Sequence, residues 1–176
     1  MQKIQLLDKE FEPFIAESEI QAAVSRVATQ INVDFAGKSP LFLIVLNGAF
    51  MFYADLVRNM TIDIECDFMR VKSYTAQFKQ GDIKILKDLE TPIKGKHVYL
   101  VDDIYDTGST MKALIEYLEV KKPASISIAT LLTRETSPIP PQPSYHAFTI
   151  KDEWVVGFGM DDEKGYSRNL NGVFAL

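Results

Sequence analysis

The chain has one cysteine, one tryptophan and two histidines among its 176 residues, and it has fewer basic than acidic side chains. A single cysteine excludes an internal disulfide, and the lack of any Cys/His cluster argues against a zinc site. With 19 basic and 24 acidic residues the net charge is −5. This balance disfavours nucleic acid as the main partner, because its phosphates are bound through basic surface. Any anion must therefore be held locally.

Long apolar runs are also missing. No stretch approaches the roughly 20 apolar residues that cross a bilayer, and the N-terminus lacks the charged-then-apolar pattern of a secretory signal. We therefore expect a cytoplasmic protein with no membrane partner. The composition, 47% hydrophobic and 24% charged, is typical of a globular protein, and the length suits one domain with a substantial core.

Short apolar segments alternate with amphipathic ones along the middle of the chain. This alternation predicts an α/β fold with a central, mostly parallel sheet flanked by helices. The segment with Ser18 at its start resembles a capping box, and the alternation around Cys66 predicts a buried thiol in a strand. The predicted strands are residues 41–46, 62–68, 98–101, 125–132, 147–150 and 154–158, and the predicted helices are residues 18–31, 49–59 and 111–118.

The most informative stretch is residues 98–118. An apolar run ends at two carboxylates, passes a third, turns through Thr-Gly-Ser-Thr and continues as an amphipathic segment. The order predicts a buried strand, a tight loop and a helix. Glycine tolerates backbone angles that other residues avoid, and the N–H groups at a helix start attract anions. The loop is therefore predicted to bind a phosphate, through Thr107, Gly108, Ser109 and Thr110.

Three carboxylates beside a phosphate would repel it unless a neutral group lies between them. A sugar meets this need, because Asp102 and Asp103 can accept hydrogen bonds from vicinal hydroxyls, directly or through a divalent cation. Asp106 would lie further along, near whatever is attached to the sugar. The simpler alternative is that these carboxylates only cap or solvate the turn, as in many short motifs. Strand, paired acids, third acid and hydroxyl-rich turn together favour a binding site.

The run Val-Asp-Asp-Ile-Tyr-Asp-Thr-Gly-Ser-Thr at residues 101–110 resembles the phosphoribosyl-diphosphate signature of the type I phosphoribosyltransferases, and the surrounding chain resembles their hypoxanthine-guanine branch. The resemblance implies an enzyme that transfers the 5-phosphoribosyl group to a 6-oxopurine, with Mg²⁺ as cofactor. It also implies a homodimer or homotetramer, and a single domain with a core of about residues 36–137 and a hood from about residues 1–17 and 138–176.

The same resemblance implies a role for each loop around the predicted sheet. Asp106 would be the catalytic residue, which accepts or orients the N7 proton of the purine. A lid would exclude water from the reacting sugar carbon. The remaining implied sites are Leu46, Asn47, Gly48 and Arg168 for diphosphate, Ser73 and Tyr74 in the lid, Arg134, Trp154 and Val155 for the base, and Asp102, Asp103 and Asp161 for the metal.

The sequence departs from the family pattern at three places. Most relatives carry lysine where this chain has Asn47 and Arg134, and the interval from Asp161 to Arg168 is one residue longer than expected. Losing the first lysine removes a positive charge near the leaving group, although backbone amides can still bind there. Arginine donates and cannot accept, so a 6-oxopurine remains preferred over a 6-aminopurine.

Two other functions fit the sequence less well than an enzyme. A regulatory protein of the same fold would bind the same metabolite without turnover, but such proteins commonly carry a basic face, whereas this chain is acidic. A Rossmann dinucleotide protein is disfavoured because no Gly-x-Gly-x-x-Gly follows an early strand. Without the resemblance, the turn at Asn47 is an ordinary turn, Arg134 a surface charge and Trp154 a core residue.

Overall fold

The computed structural model describes residues 2–6, 8–73 and 83–176 and arranges them in two sheets with three helices. Among these residues no helix is both long and apolar enough to cross a membrane. In chain order the elements are β1 (Ile4–Leu6), β2 (Lys9–Ile15), α1 (Glu17–Asp34), β3 (Leu41–Leu46), α2 (Phe50–Arg58), β4 (Glu65–Ser73), β5 (Ile83–Lys87), β6 (His97–Tyr105), α3 (Ser109–Glu119), β7 (Ser125–Arg134), β8 (Tyr145–Ile150), β9 (Val155–Val156) and β10 (Val173–Ala175).

The larger sheet has the strand order β5-β4-β3-β6-β7-β8. All neighbours run parallel except β5, which pairs with β4 in the antiparallel sense. The predicted α/β fold with a mostly parallel central sheet is therefore confirmed. The chain proceeds outward in opposite directions from β3 and from β6, so a crevice forms beyond the carboxyl ends of these two neighbours, where α/β proteins bind ligands.

Helices cover both faces of this sheet because its central strands carry apolar side chains on both faces. In β3, Phe42 and Ile44 pack towards α1 and α2, while Leu41, Leu43 and Val45 pack towards α3. Side chains of a strand alternate between faces, so a continuous apolar run is what a doubly covered strand requires. This packing holds the loops after β3 and β6 in place at the crevice.

The smaller sheet has the order β1-β2-β10-β9 and is built from the two ends of the chain. Its strands pair antiparallel, with Val173 opposite Ile15 and Phe174 opposite Val156. Strand β8, within the segment assigned to the hood, instead pairs with β7 in the larger sheet. The division of the chain at residues 17, 36 and 137 stays a prediction.

Two local predictions were wrong. Cys66 is exposed, because the face of β4 that carries it has no helix fully covering it. Helix α1 begins at Glu17, and its capping contact is the donation of the Ala16 N–H to the Glu19 carboxylate at 2.8 Å, so Ser18 lies within the first turn. The glutamate of the capping box thus acts on a residue without a hydroxyl.

Candidate active site

The loop between β6 and α3 has the geometry of an anion site. Gly108 caps α3 with a φ of 85°, a left-handed conformation that favours glycine. The Thr107 and Ser109 hydroxyls lie 2.8 Å apart at the mouth of the loop. Within the described residues, the N–H groups of Thr110 and Met111 have no hydrogen-bond partner, as expected in a first helical turn. Two amide donors therefore remain for a phosphate.

The segment of residues 137–141 supports the end of β6, just before this loop. The Tyr105 hydroxyl lies within hydrogen-bonding distance of the carbonyl oxygens of Ile139 and Pro141, the latter at 2.9 Å, and donates its single proton to this pair. The Ser137 hydroxyl likewise shares its proton between the carbonyl oxygens of Tyr105 and Asp106. These contacts hold the end of β6 rigidly, so residues 137–141 contribute to the site without facing it.

Asp102 and Asp103 lie near the end of β6, on the stretch beyond its pairing with β3. Each accepts a hydrogen bond from the following backbone N–H, at 3.0 Å and 2.8 Å. Burial raises the pKa of both carboxyls, and for Asp102 the neighbouring Asp103 charge raises it further. The pair can therefore share a proton, or it can bind hydroxyl donors and a cation. Either arrangement relieves the repulsion between the two carboxylates.

The loop after β3 is pressed against these acids. The Leu46–Asn47 peptide bond is cis, and a Cβ at Gly48 would lie only 1.6 Å from the Asp103 Oδ2 atom. On the other side, a Cβ at Gly159 would lie 2.1 Å from the Gly48 carbonyl oxygen. Only glycine permits either approach. The predicted diphosphate loop therefore lies directly between the acidic pair and the segment after β9.

Arg168 joins that segment to the site. Its Nη2 atom pairs with the Asp161 carboxylate at 2.6 Å, and its Nη1 atom donates to the Gly159 carbonyl at 2.7 Å. The Arg168 charge also opposes the burial effect on the pKa of Asp103. The longer interval before Arg168 thus still brings it beside the predicted diphosphate loop.

The three carboxylates predicted to hold a metal do not form one cluster. No group of three or more ligating side chains suited to a metal occurs among the described residues. Asp161 pairs with Arg168, whereas Asp102 and Asp103 are neighbours in β6.

A cavity of about 190 Å³ lies next to the acidic pair and has the size of a small planar ring system. It brings together Asp106 with the predicted base-binding residues. It adds Ile104 and Met160, which the sequence does not identify because an apolar side chain carries no signal of binding. The lining consists of Asp103, Ile104, Asp106, Arg134, Trp154, Val155, Met160 and Asp161.

Arg134 connects Asp106 to the segment that follows β8. Its Nε atom donates to the Asp106 carboxylate at 2.5 Å, its Nη1 atom to the Lys151 carbonyl at 2.7 Å and its Nη2 atom to the Glu153 carbonyl at 3.2 Å. The side chain is only 18% exposed, while that of Asp106 is 59% exposed. The planar fork of arginine makes this arrangement, which a single ammonium could not reproduce.

Trp154 and Val155 begin the segment on the opposite side of the cavity. Val155 lies in β9 opposite Ala175, and the Trp154 carbonyl accepts a hydrogen bond from the Leu176 N–H at 3.0 Å. Of the two predicted lid residues, Ser73 is the last residue of β4, and Tyr74 lies outside the described residues, so the lid stays a prediction.

An anion loop with free amides, an acidic pair suited to sugar hydroxyls and a cavity lined by Arg134 and Trp154 lie along one crevice. Together with the parallel sheet, this arrangement defines the phosphoribosyltransferase class. The phosphoribosyl transferase domain family matches residues 16–163. The chain belongs to this family and, within it, to the hypoxanthine(-guanine) phosphoribosyltransferases, as its relatives indicate.

Among the relatives, the hypoxanthine-guanine phosphoribosyltransferase of Streptococcus pneumoniae strain R6 is 40% identical over 158 residues, which cover 89% of this chain and 87% of that protein. The hypoxanthine phosphoribosyltransferase of Haemophilus influenzae is 39% identical, with 89% of each chain covered. A crystal structure of a hypoxanthine-guanine phosphoribosyltransferase from Bacillus anthracis superimposes with a TM-score of 0.89 at 35% identity, covering 94% of this chain and 98% of that one. Nothing in these likenesses supports the regulatory alternative.

Proposed function

We propose that this protein transfers the 5-phosphoribosyl group of phosphoribosyl diphosphate to a 6-oxopurine, hypoxanthine and also guanine, and releases diphosphate with IMP or GMP. One observation carries the proposal: the salt bridge between Asp106 and Arg134 joins the anion loop to the cavity that Trp154 lines. Asp106 directly precedes the anion loop, so a sugar bound there presents its anomeric carbon to whatever fills the pocket.

The described residues suit each part of such a transfer. The purine nitrogen forms a bond to the anomeric carbon while the bond to diphosphate breaks, and the electron pair leaves with the diphosphate. Backbone amides around Gly48 and the Arg168 guanidinium would stabilise that negative charge; the Gly48 loop contacts Gly159, whose carbonyl accepts from Arg168. Asp106 accepts or orients the N7 proton of the base, the role of a general base.

Mg²⁺ is part of this proposal as an assisting cation. It would be held by Asp102 and Asp103, with Asp161 on the other side, because hard cations prefer carboxylate oxygens. One or two carboxylates suffice when substrate oxygens complete the shell, so the lack of a three-carboxylate cluster among the described residues fits a metal that arrives with diphosphate. When bound, the ion would neutralise the departing oxygens.

Selectivity for the 6-oxo group follows from the arginine. All five guanidinium N–H groups are donors, and those of Arg134 face the pocket, Asp106 and two carbonyls. A 6-amino group in the same place would point its own N–H donors at the N–H donors of Arg134. We therefore expect adenine to be excluded, as a buried donor left unpaired is costly.

The assembly and location complete the proposal. Phe50 and Phe68 are large exposed apolar residues, and Tyr53 of α2 packs edge-on against Phe68 with ring centroids 6.0 Å apart. An exposed apolar face of this kind favours association, so we propose a homodimer or homotetramer built on it. We place the protein in the cytoplasm, since its phosphorylated sugar substrate is too highly charged to cross a membrane.

A panel of free bases tests the function. Hypoxanthine, guanine, xanthine, adenine and uracil are each incubated with phosphoribosyl diphosphate, with and without Mg²⁺, and diphosphate release is followed. We expect turnover with hypoxanthine and guanine only in the presence of Mg²⁺, and none with adenine or uracil. Substrate binding without diphosphate release would contradict the proposal and favour a regulator.

A further inference from the structure

Two side chains of strand β2 contact the indole of Trp154. The Lys9 ammonium lies 4.3 Å from the centroid of the Trp154 ring, and the Phe11 ring meets the indole edge-on at 5.6 Å with an interplanar angle of 66°. A cation over an indole face is attracted by the negative potential of the π system, and tryptophan is the strongest such partner. The ring of Trp154 is therefore fixed by two side chains of one strand.

The place of Lys9 within β2 is unusual for a lysine. Residues two apart share a face of a strand, so Lys9 lies in the same row as Phe11 and Ile15, which are both buried. On the opposite face, Glu10 and Glu12 pair with Lys3 at 2.9 Å and 2.7 Å. In the described parts of the chain no carboxylate forms an ion pair with Lys9, so the indole is the contact that the structure gives its ammonium.

Lys9 contacts the Trp154 ring without lining the cavity to which Trp154 belongs. Trp154 lines that cavity together with Arg134 and Asp106, but none of the described residues of β2 lines it. We propose that Lys9 is a positioning residue, which holds the Trp154 ring at the angle at which a purine stacks on it. This inference rests on the proposed function.

The consequence concerns the base and not the sugar phosphate. A ring already held in the stacking orientation does not have to be ordered when the purine binds, so the affinity for the base is higher. The anion loop at residues 107–110 is built from other elements and does not depend on Lys9. Substitution of Lys9 should therefore separate the two substrates kinetically.

The Lys9→Met variant tests this directly, because methionine keeps the apolar stem and removes the cation. We expect the KM for hypoxanthine to rise about two- to fivefold, the fold-change that corresponds to an exposed cation–π contact, with kcat and the KM for phosphoribosyl diphosphate unchanged. Lys9→Arg, which retains a cation, should restore the wild-type KM.

Trp154 is the only tryptophan of the chain, so its fluorescence provides an independent measurement. In the free protein, Lys9→Met should change the emission of Trp154 and increase its quenching by acrylamide, because the ring face under the Lys9 ammonium loses its cover. The matched control is Lys38→Met, which removes a lysine 5.0 Å from the centroid of the Phe35 ring. That variant should leave both the fluorescence and the KM values unchanged.

Two kinds of failure can be told apart. An active Lys9→Met enzyme with wild-type KM for hypoxanthine and wild-type quenching would overturn the role of Lys9 and leave the proposed function intact. Equal losses in Lys9→Met and Lys9→Arg would also overturn it, because they would mean that the cation is irrelevant. If the unsubstituted protein turned over no 6-oxopurine, the proposed function would fail, and this inference with it.

Discussion

Asp106 accepts a hydrogen bond from Arg134 while most of its carboxylate remains open to the crevice. The carboxylate is therefore oriented and still accessible to a base proton. We expect Asp106→Asn to fold normally and to lose about 10²- to 10⁴-fold in kcat, because an amide cannot take up the proton. Steady-state kinetics with hypoxanthine measure this. Asp63→Asn, an exposed substitution outside the cavity, is the control, and a normal kcat in Asp106→Asn would remove Asp106 from the mechanism.

Arg134 offers a second single-residue prediction. Its guanidinium reaches Asp106 and two backbone carbonyls at once. Arg134→Gln should lower kcat/KM for hypoxanthine by about 10- to 100-fold, the range that corresponds to a lost charged hydrogen bond. The discrimination against adenine should fall as well, because glutamine can accept from a 6-amino group. The control Arg58→Gln removes an exposed arginine and should change neither value. Unaltered adenine rejection would show that selectivity arises elsewhere.

Between elements, the close approach of the loop after β3 to β6 leads to a further prediction. A methyl group at Gly48 would overlap the Asp103 carboxylate, so Gly48→Ala must displace one of the two. We expect kcat/KM for phosphoribosyl diphosphate to fall about 10²-fold, the typical effect of misplacing a binding group by about 1 Å. Kinetics at saturating hypoxanthine measure this loss.

Gly95→Ala separates a local backbone cost from a loss of function. A Cβ at Gly95 meets open space, but the φ of 73° disfavours any other residue, so this variant should lose about 1 kcal/mol of unfolding free energy and retain full activity. If Gly48→Ala behaved in the same way, its contact with Asp103 would have no role in binding.

For the whole molecule, Asp67 links stability to pH. The Asp67 side chain is 6% exposed and accepts the N–H groups of Phe68, Glu90 and Thr91 at 2.7, 2.7 and 2.6 Å. Burial alone would raise the pKa of Asp67, but these backbone donors outweigh it and hold the pKa below the usual value. The contribution is therefore present above a pH of about 4, the unfolded value, and is lost as the pH falls through the lower folded value.

Asp67→Asn tests this linkage. We expect the variant to be less stable by about 2 kcal/mol at neutral pH, since it loses charged hydrogen bonds, and the difference from the wild type to shrink below a pH of about 4. Urea unfolding at several pH values measures it. A difference independent of pH would contradict the assignment of the ionised form.

The proposed association of subunits gives the last prediction. Phe68 is 37% exposed and packs against Tyr53, whereas Val120 is 81% exposed at the end of α3. Phe68→Glu places a charge in the apolar face and should convert an oligomer into monomers, while Val120→Glu should not. Light scattering after size exclusion measures the mass. A monomeric wild-type protein would contradict the proposed assembly.

Much of the core could be predicted from local pattern. The uniform apolar run of β3 and the order of strand, acids, turn and helix around Gly108 are properties of consecutive residues, so period and residue type suffice. The exposure of Cys66 was mispredicted because alternation identifies the two faces of a strand, whereas only packing determines which face is covered. Strands β2 and β10 were missed because they pair across almost the whole chain and show weak patterns.

By itself, the sequence determined that this is an α/β protein with an anion loop after an acidic strand, because these features depend on neighbours along the chain. Only the tertiary structure decided which distant residues meet. Gly48 against Asp103, Arg134 against Asp106 and Lys9 over Trp154 are contacts between segments that strand order and sheet packing bring together. The physical reason is that such contacts depend on topology, and no local periodicity encodes them.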